Sequence, residues 1–128
     1  MKNSTTASLT MLLAFSFTAT AYADEVVQLW TCALNDDRTP EELIEASSHW
    51  FAAARRNDGG DDIRAFIDYP IAANAVDTFT FVLVLPDTKA WGAFNHNYPE
   101  TPAGQAEEAW SEVATCSSSS IWGQIEIE

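Results

Sequence analysis

Apolar residues along this chain alternate between two periods, and the switches predict the elements. Val26 to Leu34 (VVQLWTCAL) is apolar and β-branched at its start, the pattern of a strand, and Asn35-Asp36-Asp37-Arg38 breaks it. Thr39-Pro40-Glu41-Glu42 is a dense helix start: a hydroxyl at the N-cap, proline at the first helical position and a glutamate placed to close a capping box. On a 3.6-residue wheel Leu43, Ser47, Trp50, Phe51 and Ala54 share one side, with Ala46 and Ile44 beside them. Glu42, Glu45, His49 and Arg56 fall opposite, which makes Glu45 and His49 a solvated pair rather than half of a metal site. Asn57-Asp58-Gly59-Gly60 predicts the stop, with glycine in the left-handed position after the helix.

Ile63 to Ile71 alternates as a second strand, with Pro70 marking an edge or an end. Thr78 to Leu85 (TFTFVLVL) is the most apolar run and is expected at the centre of the sheet, joined to its predecessor by a short antiparallel connection. Asp87 caps a short helix through Trp91 and Phe94, ended by Asn95 to Pro99. Thr101-Pro102 starts another, with Ala103, Ala106, Ala109, Trp110 and Val113 on one face. Ser117 to Ser120 reads as a polar connector, and Ile121 to Glu128 (IWGQIEIE) alternates strictly, as a half-buried last strand does.

The resulting order, β-α-β-β-α-β with the second helical segment split in two, predicts an α+β, ferredoxin-like domain. Its four antiparallel strands lie in the order 4-1-3-2, with the helices on one face. That order lays the last strand beside the first and carries Cys116 towards Cys32, so a disulfide is expected; the competing reading is two buried thiols. Alternation also assigns faces. Val27, Leu29, Ile63, Ala65, Ile67, Phe79, Phe81, Leu83 and Ile121 are expected under the helices. Gln28, Trp30, Cys32, Arg64, Phe66, Asp68, Val82, Val84 and Trp122 are left on the open face. So aromatic a face calls for a cover, most economically a second copy of the chain. Arg64 among Trp30, Phe66 and Trp122 could orient a small, partly apolar ligand there.

With that architecture, the segments LWTCAL, NDGGDDIRAF and ATCSSSSIW resemble those of small uncharacterised exported bacterial proteins. The half-apolar open sheet is similar to that of the dimeric α+β barrel superfamily, which includes the antibiotic biosynthesis monooxygenase-like domains. The resemblance implies a homodimer built through the open faces. It also implies a candidate catalytic group in Trp91, Asn95 and His96, for cofactor-independent oxygenation or haem breakdown. Strand one carries Gln28 and Trp30 where the relatives would place a cavity asparagine. A ligand-binding protein, an oxygenase and a ligand-free interaction module all stay open.

Composition narrows the partners and the compartment. Met1-Lys2, the apolar run Leu9 to Phe17 and Ala21-Tyr22-Ala23 form a signal peptide over residues 1–23, leaving residues 24–128 as one domain bound for the periplasm or the medium. The apolar run is about half the ~20 residues a membrane span needs. All 19 acidic residues follow residue 23, and the formal net charge is −13, so nucleic acid is an unsuitable partner. Two cysteines in an oxidising compartment favour pairing. Asn57 to Asp62 (NDGGDD) lacks the ligand spacing of an EF-hand, and no glycine loop, CxxC or HExxH occurs, so neither a metal nor a cofactor is expected.

Overall fold

The computed structural model describes residues 24–71 and 78–124 together with Ile127. The expected signal peptide, the connection 72–77 and most of the chain beyond Gln124 lie outside the described residues. The elements are β1 (Glu25–Leu34), α1 (Pro40–Ala54), β2 (Arg64–Asp68), β3 (Thr78–Leu85), α2 (Thr88–Asn95), a single 3₁₀ turn (Tyr98–Glu100), α3 (Pro102–Ser111) and β4 (Ala114–Gln124). The strands form one antiparallel sheet in the order β2-β3-β1-β4, the expected ferredoxin-like order read from its other edge. Leu43, Trp50 and Ala54 of α1, Phe94 of α2 and Ala103 of α3 pack on Phe79, Phe81, Leu83 and Leu85 of β3 to make the core. Among the described residues no helix is long and apolar enough to cross a membrane.

Local chemistry explains the helix starts. The Thr39 hydroxyl accepts from the Glu42 N–H at 3.3 Å while the Glu42 carboxylate accepts from the Thr39 N–H at 2.8 Å, closing the capping box. Asp87 accepts from the Ala90 N–H at 2.7 Å and Thr101 from the Gly104 N–H at 3.1 Å, so all three α-helices begin with a satisfied side-chain cap.

Three expectations change. First, α1 ends at Ala54 on an ordinary right-handed cap, Arg55, and Gly59 takes its φ of 77° further on. The side chain that organises this stop is Asn57, 5% exposed, which faces inward. Gly59 is needed for close approach: a Cβ there would stand 2.4 Å from the Ala90 carbonyl oxygen, against the first turn of α2. Second, β4 starts at Ala114, so Ser117 to Ser120 are strand residues and not a connector. Backbone pairing with β1 needs nothing from the side chains, and on this exposed edge strand small hydroxyls suffice.

Third, the faces of β1 are exchanged. Its partners across β3 are Val26 with Leu85, Gln28 with Leu83, Trp30 with Phe81 and Cys32 with Phe79, and directly paired residues share a face. Gln28, Trp30 and Cys32 therefore lie under the helices, and Val27 and Leu29 lie on the open face. A strand apolar on both sides carries no hydrophobic phase, so alternation could not orient it. The assignments for β2 and β3 hold, and Trp122 pairs with Val27 on the open face.

Candidate ligand-binding site

Exchanging the faces of β1 relocates the expected site. Trp30 leaves the group Trp30, Arg64, Phe66 and Trp122, and the other three remain on the open face. There Arg64, Val84, Val27 and Trp122 form one cross-sheet row and Phe66, Val82, Leu29 and Ser120 the next. Arg64 pairs with Glu25 at 2.7 Å. Phe66 and Trp122 are 47% and 59% exposed there.

A concave site lies on the other side of the sheet, where β1 and the start of β4 meet the 3₁₀ turn and α3. A cavity of about 400 Å³ opens there, walled by Trp30, Trp50, Phe81, Phe94, Tyr98 and Trp110. Gln28, Asn95, Glu107, Ser111 and Thr115 supply its polar edge, and Ala114 and Cys116 complete the β4 side. The rings interlock: Phe81 meets Trp30 at 5.9 Å, Trp50 at 5.3 Å and Trp110 at 5.7 Å between centroids, mostly edge to face. Buried indole N–H groups need acceptors, and those of Trp50 and Trp110 have them. Trp50 donates to the Tyr98 hydroxyl at 3.2 Å and Trp110 to the Ser47 hydroxyl at 2.9 Å. Gly104 lets α3 seat tightly on the turn that carries Tyr98, since a Cβ would meet the Tyr98 carbonyl oxygen at 2.0 Å.

Of Trp91, Asn95 and His96, Asn95 lines this cavity and Trp91 is bonded to two of its lining residues. Trp91 donates its indole N–H to the Gln28 side-chain oxygen at 3.1 Å, and Asn95 donates to the Trp91 carbonyl at 2.9 Å. Each bond uses one end of an amide, leaving the Gln28 NH₂ and the Asn95 oxygen for a ligand. His96 stands apart: it caps α2, is exposed, and has Asn97 as its neighbour at 3.4 Å. Cys32 and Cys116, in direct register, form a disulfide that ties β1 to β4 beside the cavity. Among the described residues no cluster of His, Cys, Asp and Glu could hold a metal ion, Asn57 to Asp62 included.

Burial, reinforced by the nearby Glu107 carboxylate, pushes the Tyr98 phenol well above its ordinary value, and the bond from Trp50 only partly opposes this. The linkage has a definite sign. Above about pH 10 the unfolded phenol loses its proton while the folded one keeps it, so the folded state binds more protons and stability falls as pH rises. Chemical denaturation of the protein and of Tyr98→Phe should diverge in pH dependence above that point, the variant losing less. Parallel curves would show that Tyr98 ionises freely in the fold.

Solved structures share this fold. SnoaB, a cofactor-independent oxygenase from Streptomyces nogalater, aligns with a TM-score of 0.58 at 14% sequence identity, over 82% of this chain and 97% of that one. A conserved protein of unknown function from Bacteroides thetaiotaomicron, described as a possible oxidoreductase, aligns with a TM-score of 0.55 at 13% identity, over 80% of this chain and 99% of that one. At these identities the likeness is one of fold. No protein-family model and no curated protein matches the chain.

Proposed function

We propose that this protein binds a small, partly apolar molecule in the cavity between sheet and helices, and that two copies pair through their open sheet faces. The observation that carries the binding reading is the aromatic cavity edged by the free ends of Gln28 and Asn95, the combination of apolar walls and a few oriented polar groups that small-molecule sites use. It takes the ligand away from the open face.

Pairing through that face rests on what it displays. Val27, Leu29, Phe66 and Trp122 lie side by side, and the face's Arg64 is matched by Glu25. In a chain of net charge −13 this is a surface on which two copies could meet with little repulsion. Export to the periplasm or the medium belongs to the same reading, supported by the disulfide and by the signal-peptide pattern of residues 1–23.

Native mass spectrometry of the protein purified from its own source tests all of this. The expected species is a dimer lacking residues 1–23, short by the hydrogens of one disulfide and carrying a small molecule. Trp122→Asp should convert it to a monomer that keeps the ligand. A wild-type monomer at micromolar concentration would sink the pairing, and a wild-type cavity that takes up no small molecule would sink the binding reading.

A second reading, cofactor-independent oxygenation, is favoured by Gln28 and Asn95 on the cavity's edge, both bonded to Trp91, and by the fold shared with SnoaB. An electron-rich aromatic substrate would supply the electrons, and the two amides could hold its oxygen substituents. Oxygen uptake with oxidisable phenols that is unaltered in Asn95→Ala and Trp91→Phe would dispose of this reading.

A further inference from the structure

The charge of the cavity is as informative as its shape. Among the described residues Glu107 is the one charged residue in its lining, and no Lys, Arg or His contributes to it. A carboxylate or phosphate on a ligand would meet no cation there, only Glu107 and the field of a strongly acidic protein. The walls, by contrast, suit positive charge. The half-buried faces of Trp30, Trp110 and Tyr98 are available to a ligand, with the buried rings of Trp50 and Phe81 behind them. Indole is the best of the side-chain rings at attracting a cation, and the attraction grows as the cation is desolvated.

We infer that the cavity recognises an organic cation of the alkylated ammonium class, held against Trp30, Trp110 and Tyr98 with Glu107 as its counter-charge. The inference rests on the cavity being the binding site, and it narrows the ligand from any partly apolar molecule to one charge class. An alkylated ammonium spreads its charge over carbon and is weakly hydrated, so aromatic faces can replace its water. A bare metal ion or primary ammonium would need several oxygens at once. The free Asn95 oxygen and the Gln28 NH₂ then read polar substituents elsewhere on the molecule. Burial and Glu107 keep the Tyr98 phenol protonated, so its oxygen brings no second negative charge to the site.

The test is a calorimetric titration of the intact oxidised protein with three probes: choline, its uncharged tert-butyl carbon isostere, and neutral naphthol. Choline should bind at least tenfold more tightly than the isostere, which has the same shape without the charge. Glu107→Gln should weaken choline several-fold and leave naphthol unchanged. Trp30→Leu, which keeps apolar bulk but removes the ring, should weaken choline far more than the isostere. If the isostere binds as well as choline, or if naphthol binds and choline does not, the cation inference is overturned while the cavity stands. If none of the three binds, both the inference and the binding reading fall.

Discussion

Replacing Asn57 by alanine should cost roughly 3 kcal/mol of folding stability, from the loss of one exposed-looking amide in a loop. Its Nδ2 donates to the Phe94 carbonyl at 3.4 Å and to the Thr101 hydroxyl at 3.0 Å, and its Oδ1 accepts from the Ala103 N–H at 3.1 Å. Those partners are the last turn of α2 and the N-cap and first turn of α3, so one side chain joins two helix ends to the end of α1. Alanine would leave the Ala103 N–H and the Phe94 carbonyl buried without partners, at about 1–3 kcal/mol each. For a domain of this size a loss of that order lowers Tm by roughly 10–20 °C. Asn95 and Tyr98 lie on either side of the joint, so ligand uptake should weaken in the same variant at temperatures where it is still folded. A loss below about 1 kcal/mol would mean that water takes over the amide's bonds and that packing alone aligns the helix ends.

Asn57 marks where sequence reading stops and tertiary structure begins. The capping box at Thr39 and Glu42 was legible because every group involved lies within four residues. The strand order was legible because the alternation of helical and strand periods leaves few ways to connect four strands. Asn57 was not: in NDGGDD it looks like a loop residue, and only the convergence of three helix ends buries it. Two errors have the same origin. Val27 and Leu29 predict one phase for β1, yet Val26, Trp30 and Cys32 are as apolar, and what decides the phase is the register against Phe79, Phe81 and Leu83. The side chains of Ser117 to Ser120 predict a connector, whereas backbone pairing with β1 makes them strand. The cavity was illegible for a stronger reason. Its walls come from β1, α1, β3, α2, the 3₁₀ turn, α3 and β4, so no window of sequence contains it. One signal was available: Trp50 and Trp110 sit on the apolar faces of two different helices, a surplus of large rings that a small core could not absorb without leaving a concavity.

Removing the disulfide should have an effect of similar size, felt in a different place. Cys32 and Cys116 are 84 residues apart, so their bond closes a loop containing almost the whole domain. Relative to the linked chain, Cys32→Ala with Cys116→Ala should lose about 2–5 kcal/mol, because the unfolded chain regains the freedom the link denied it. The double variant is the right one, since a single substitution leaves a thiol free to form mixed disulfides. Where the native state loosens first also follows from the fold. β4 is an edge strand, its residues beyond Cys116 are exposed, and the chain register slips between Thr31 and Cys32, so the disulfide fastens the strand just where the ladder is irregular. Hydrogen exchange in the double variant should therefore accelerate first over Ser117 to Gln124 and only later over β3, whose Leu83 and Leu85 are wholly buried. Ala114, Thr115 and Cys116 form one wall of the cavity, so a freed β4 should also weaken ligand uptake, whereas the capped helices should keep their protection. Exchange rising uniformly through sheet and helices would show instead that the disulfide stabilises the domain only as a whole. A melting temperature within a degree or two of the parent would show that pairing with β1 holds the strand unaided.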